Sequence, residues 1–217
     1  MGYDERYHET DALFGEEPDR IVTAHAHGID PGRPVLDIGA GQGRNTFFLA
    51  RKGFTVHALE PSPAGAEAIT ATAVREGLSV QAYPSGFESF DGPGRPYSAL
   101  LVAGLLPILR RESIAVLREK IDGWTARGSL LFVTAFTIED PGYARHAAEW
   151  EEIGRHSFRG PGGDLRTYLE PCEIQRLFSG WLVVHHWEGM GPEHRHGDGP
   201  LHRHARTEAV FQRSAEE

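Results

Sequence analysis

One cysteine among 217 residues, Cys172, leaves no partner for an intrachain disulfide. Without covalent staples the fold must rest on its core, and a reduced, cytoplasmic setting is expected. Cys172 lies in the helix-opening phrase Glu170-Pro-Cys-Glu-Ile-Gln-Arg-Leu-Phe178 and reads as a packing residue rather than a nucleophile. Basic residues are also scarce: 22 Lys and Arg face 31 Asp and Glu, a formal charge of −9. An acidic surface repels phosphate backbones, so nucleic acid is not an expected partner. No apolar run approaches the roughly 20 residues of a spanning helix, so no membrane partner is expected either. The opening MGYDERYHETD is polar and acidic, unlike a signal peptide. Internal repeats and a clear linker are missing too, which predicts one domain over residues 1–217.

What is present is a strand–helix alternation. Pro34-Val-Leu-Asp-Ile-Gly39 is an apolar run entering a glycine cluster and reads as a buried parallel strand. A helical stretch over 44–52 ends at Gly53, and the β-rich run 54–59 follows. Ser62 is placed to cap a helix over 64–76, with Pro63 at its first position and Gly77 at its end. Further strands are predicted at 78–83, 97–103 and 129–136. A helix is predicted over 107–122, with Ile114, Leu117 and Ile121 on one face. The alternation over 34–136 predicts an α/β fold of the Rossmann-like, doubly wound kind. Residues 139–168 read as polar loop and 170–178 as helix. The segments 181–187 and 207–212 read as an antiparallel C-terminal hairpin, completing a mostly parallel seven-stranded sheet.

The chemistry centres on Asp37-Ile-Gly-Ala-Gly-Gln-Gly43, which follows a strand and opens a helix. Glycines let the backbone turn tightly and approach a ligand, and helix-start amides attract an anionic group. Glu60 ends the next strand, where a carboxylate accepts hydrogen bonds from ribose hydroxyls. Dinucleotide folds use G-x-G-x-x-G, but here the spacing is G-x-G-x-G and Arg44 takes the place of the last glycine. Asp37, two positions before the first glycine, would repel pyrophosphate and suits a ligand carrying an ammonium group.

The stretch VLDIGAGQGRNTFFLARKGFTVHALEPSP resembles the cofactor region of class I S-adenosylmethionine (SAM)-dependent methyltransferases. More narrowly, Gly43-Arg44-Asn45-Thr-Phe-Phe-Leu-Ala50 resembles the tellurite-resistance and thiopurine-type small-molecule branch. The lead-in YDERY…LFGEEPDRIV and the tail pair His194-Arg195 with Arg206 resemble the same branch. The resemblance implies SAM as cofactor. It implies that Asp37 and the backbone of Gly39, Ala40, Gly41 and Gly43 hold its methionine end, with Arg44 and Asn45 also among the cofactor-binding residues. Glu60 would hold the ribose, with Pro61 and Ser62 beside the adenine. Ser85, Gly86 and Phe87 would pack the adenine, and Ala103, Gly104 and Leu105 would meet the sulfonium side. Ser85 stands where the family usually has an acid, and Tyr97-Ser98 where it often has Tyr-Asp. Tyr3, Tyr7 and Phe14 would belong to a lid within an N-terminal segment 1–30. That segment precedes a cofactor-binding core over 34–136 and a substrate-shaping insertion with closing hairpin over 137–217.

The expected partner is a small-molecule methyl acceptor, a soft nucleophile such as a thiol or chalcogen oxyanion being favoured because it needs no strong base. Six of the twelve histidines fall between 185 and 204: His185, His186, His194, His196, His202 and His204. Three readings compete. The stretch is a solvated hairpin tip, or His194, Arg195 and Arg206 form a catalytic acceptor pocket, or the two His-Arg-His phrases hold a metal. Without a supporting cysteine or carboxylate pattern, no metal is expected. His146, Trp150, His156 and Phe158 either shape the acceptor site or belong to an exposed connector. Two other functions stay open: an NAD(P)-dependent oxidoreductase, and a non-catalytic metal sensor using the C-terminal histidines.

Overall fold

The computed structural model describes residues 3–10, 12–195, 199 and 201–214. Five parallel strands form its centre in the order β3-β2-β1-β4-β5: β1 (Val35–Ile38), β2 (Val56–Leu59), β3 (Val80–Tyr83), β4 (Tyr97–Val102) and β5 (Thr125–Thr137). The connections carry α3 (Arg44–Arg51), α4 (Pro63–Glu76) and α5 (Arg111–Trp124), preceded by α1 (Tyr3–Glu9) and α2 (Arg20–His25). The order reverses between β1 and β4, the switch point where doubly wound sheets bind ligands at their carboxyl edge.

Both sheet faces are covered, which is why these strands read as continuous apolar runs. Alternate residues serve opposite cores. Leu36, Ile38, Leu100, Val102, Leu131 and Val133 pack with Ile114, Leu117 and Ile121 of α5. Val35, Leu101, Phe132 and Val210 pack with Leu49 of α3 and with Ile21 and Val22 of α2. The α4 boundaries follow local chemistry. The Ser62 side chain accepts from Gly65 N–H, Pro63 opens the helix, and Gly77 closes it in a left-handed conformation.

β10 (Ala205–Arg213) runs antiparallel beside β5, and β9 (Trp181–Met190) runs antiparallel beside β10, as the predicted closing hairpin. The sheet is larger than expected, with ten strands among the described residues rather than seven. The region read as loop over 139–168 holds α6 (Tyr143–Glu149), β6 (Glu151–Gly154), β7 (Ser157–Arg159) and β8 (Leu165–Leu169). These strands are too short for periodicity to stand out. β8 joins the main sheet only through Phe136 opposite Tyr168 and Thr137 opposite Leu169. α7 (Glu173–Leu177) follows, shorter than predicted. Cys172 is not a packing residue: it caps α7 with a left-handed φ of 56° and is exposed. Among the described residues no helix is long and apolar enough to cross a membrane.

Candidate functional site

The glycine bend forms as its sequence requires. Gly39, Gly41 and Gly43 have φ of 70°, 59° and 90°, all in the left-handed region. Gly39 and Ala40 N–H both donate to the Leu59 carbonyl at 2.9 Å, which ties the bend to the end of β2. Close approach supplies a second constraint. A Cβ on Gly65, in the first turn of α4, would stand 2.9 Å from the Gly41 carbonyl and 2.8 Å from Glu60 Cγ.

Two buried carboxylates converge on this bend. Asp37 accepts a 2.6 Å hydrogen bond from the Thr46 hydroxyl. Burial pushes Asp37 up to about 6, partly opposed by the Thr46 bond. Glu60 accepts from Gly41 N–H at 2.7 Å and from Ser62 N–H at 2.9 Å. Burial raises it, against those two hydrogen bonds. Thr46 carries no motif signal. It becomes visible only once α3 folds back over the end of β1.

The N-terminal segment lies across the bend. Asp4 accepts from the Ser62 hydroxyl (2.6 Å) and from Ala64 N–H (3.0 Å), capping α4 from outside. The Tyr7 hydroxyl would stand 3.2 Å from a Cβ on Gly41. Burial, then the Glu60 charge, raises the Tyr7 phenol well above its ordinary value. Gln42 clasps the segment, donating to Thr10 O (2.6 Å) and accepting from Leu13 N–H (2.9 Å). Arg44 grips both Asp19 oxygens at 3.0 and 2.9 Å, and Asn45 donates to the same carboxylate at 3.0 Å. The Arg44 and Asn45 side chains, expected on the cofactor, are thus engaged in fastening the lead-in. The first turn of α3 faces that segment.

Together these elements enclose a cleft of about 960 Å³. Its lining includes Tyr3, Tyr7 and Phe14, then Asp37, Gly39, Ala40, Gly41, Arg44, Asn45, Glu60, Pro61 and Ser62, then Ala103, Gly104 and Leu105. Gly43 turns inward instead, its Cα face against the Phe47 ring. Gly104 N–H donates to the Thr134 hydroxyl at 2.8 Å, fixing the loop after β4.

Several expected residues do not line the cleft. The Ser85 hydroxyl turns to the Gly86 carbonyl and to Ser89, and Phe87 is buried in the core that α5 covers. His194, Arg195 and Arg206 are absent from the lining as well. His194 pairs with His202 across an isolated antiparallel bridge, Arg195 is exposed, and Arg206 reaches Glu208 at 3.3 Å. Burial lowers the His194 pKa, as do nearby His202, His204 and Arg206, against a hydrogen bond to Pro192 O. His196 lies outside the described residues. The insertion residues are structural here: His146 stacks on Trp150 at 4.1 Å, with Nδ1 2.6 Å from the Tyr168 hydroxyl. His156 lies 2.7 Å from the Tyr143 hydroxyl, and Phe158 is buried.

Residues 35–126 match the family model of a methyltransferase domain. The ubiquinone biosynthesis O-methyltransferase of Methylocella silvestris is 26% identical over 154 residues, covering 68% of this chain and 57% of that protein. The chain spans about half the length of the curated relatives it matches. A SAM-dependent methyltransferase structure from Methanosarcina mazei superposes with a TM-score of 0.73 at 14% identity, over 92% of this chain and 100% of that one. TehB from Haemophilus influenzae gives 0.70 at 16% identity, over 90% and 62%. At these identities the structural likeness establishes the Rossmann-like fold alone.

Proposed function

We propose that this chain is a SAM-dependent methyltransferase acting on a small molecule. The observation that carries the proposal is the convergence of two buried carboxylates, Asp37 and Glu60, on one left-handed glycine bend in a cleft at the carboxyl ends of β1, β2 and β4. The donor set fits the cofactor. Asp37 offers an anion where an ammonium would lie. The glycines at 39 and 41 let a ligand come close to the main chain, and Glu60 offers two oxygens to a ribose diol. The fit is poor for a dinucleotide, since Asp37 opposes pyrophosphate.

When bound, SAM supplies an electrophilic methyl group on a sulfonium. The rest is positioning and exclusion of water by this chain. Leu105 and Gly104 border the cleft after β4, while Tyr3, Tyr7 and Phe14 close it from the N-terminal side. The lining contains no histidine among the described residues. With Asp37 and Glu60 assigned to the cofactor, we favour an acceptor that reacts as its own anion, such as a thiolate or a chalcogen oxyanion, and the reading assigns no proton transfer to His194, Arg195 or Arg206.

Calorimetric titration tests the pocket. SAM binds and NAD does not, and Glu60→Gln weakens SAM by about 10- to 100-fold through loss of charge-assisted hydrogen bonds. Tight NAD binding, or SAM affinity unchanged in both Glu60→Gln and Asp37→Asn, overturns the reading.

A further inference from the structure

We propose that His194, His202 and His204 form a binding site for one divalent cation of the zinc class, separate from the cofactor cleft. Each residue offers one ligand atom, and the three atoms lie within 4.8 Å of one another. The backbone builds this grouping. His194 and His202 exchange both hydrogen bonds of an antiparallel bridge (3.0 and 2.9 Å), so their side chains leave the same face from opposed positions. His204 follows His202 by two residues, and the His204 ring lies 5.3 Å from that of His194 and 4.9 Å from that of His202. The pairing therefore runs across the hairpin rather than within one His-Arg-His phrase, which sequence spacing alone did not reveal.

The surroundings are those of a supported ligand. His204 Nδ1 lies 2.7 Å from Asp140 Oδ2, which sets the proton on Nδ1 and leaves the lone pair on Nε2. Asp140 is buried and is itself held by Ala205 N–H (3.1 Å) and Gly142 N–H (2.8 Å). The His204 ring stacks on Phe136 at 4.1 Å, fixing its plane. His194 Nδ1 lies 3.2 Å from the Pro192 carbonyl, which fixes its tautomer in the same way. A carboxylate–histidine pair of this kind commonly orients a metal-bound imidazole. Of the neighbouring cations, Arg203 reaches Glu193 at 3.7 Å and Arg206, which also acts on His194, reaches Glu208 at 3.3 Å. Tetrahedral zinc with three imidazoles needs their nitrogens about 3.3 Å apart, so small side-chain rotations complete the site. Three neutral ligands leave a fourth position for water or another small ligand.

The experiment titrates Co²⁺ and Zn²⁺ into the untagged full chain without SAM. One equivalent of Co²⁺ is expected to give the intense visible bands of tetrahedral coordination, and Zn²⁺ should displace it. His202→Ala is expected to lower affinity by about 100-fold or more, and Asp140→Asn by about 10- to 100-fold. The control His186→Ala, on β9, leaves binding unchanged. X-ray absorption of the wild-type zinc complex counts imidazoles directly and does not depend on any variant folding. Three imidazole ligands support the site. A zinc shell with one imidazole or none, or stoichiometric binding that survives His202→Ala, overturns it, as does failure to bind either ion.

Discussion

On the proposed reading Asp37 serves a ligand, and its burial penalises the empty fold. Its carboxyl titrates near 6 in the folded chain, against 3.8 ordinarily, because burial disfavours the charge. Between about pH 4 and 6 the folded chain therefore binds more protons here than the unfolded chain. The stability this group contributes is full below about 4 and is lost as pH rises through about 6. Asp37→Asn is expected to stabilise the cofactor-free chain near neutral pH, on the order of 1–3 kcal/mol, and to flatten the acid-side pH dependence. The same change weakens SAM binding. Urea unfolding at acid and neutral pH checks the first half, and calorimetry the second. A variant less stable than wild type at neutral pH would show that the Thr46 bond outweighs burial. At this scale the sequence is readable where chemistry is local. Ser62 and Pro63 announce a helix start because a cap needs only its own turn. Asp37 and Glu60 fall on the cleft as expected because strand ends fix where they point. Ser85 and Phe87 misled because the direction of a loop side chain is settled by tertiary packing, and Phe87 finds the core.

α1 is a seven-residue helix with no buried residue, too short to hold itself together in water. Its order comes from attachments: Asp4 on the α4 start, Tyr7 over Gly41, and the Gln42 clasp just beyond its end. This gives the expected lid a physical description, an element of low intrinsic stability latched at a few polar points. Asp4→Ala removes one latch, so residues 3–10 should open more often than in the wild type. Hydrogen exchange of the N-terminal peptide reads this, together with faster SAM dissociation. An equal fall in the urea midpoint of the whole protein would mean that α1 belongs to the cooperative core. Elements of the 34–136 region were legible because each strand carries its own apolar run, bounded by glycine or proline. The β6–β8 extension was not. Ser157-Phe-Arg159 and Leu165-Arg-Thr-Tyr-Leu169 are short; Phe158 and Tyr168 face a small aromatic cluster around Tyr143, while Leu169 joins the main core.

Across the whole molecule, that extension is coupled to the main sheet by a side chain with no motif signature. Arg111 opens α5. Its guanidinium donates to Tyr168 O on β8 (2.6 Å), to Arg155 O in the β6–β7 turn (2.9 Å), and to Glu173 of α7. Glu173 in turn accepts from Glu170 N–H at 2.8 Å. One planar donor fork thus joins three elements that the sequence shows as separate, a geometry lysine cannot reproduce. Arg111→Met keeps the aliphatic stem but leaves two carbonyls and a half-buried carboxylate short of a donor. The expected cost is about 2–4 kcal/mol, less than an entirely buried pair because water reaches part of this one. The cofactor cleft does not include Arg111, so SAM affinity should hold while residues 151–169 exchange first. Denaturation followed by deuterium uptake of peptides over 151–169 and by far-UV circular dichroism should then give two midpoints instead of one, since the peptides report the extension and the central sheet dominates the dichroism. Coincident transitions at the wild-type midpoint would mean that β5–β8 pairing alone holds the extension, with Arg111 a bystander at the surface.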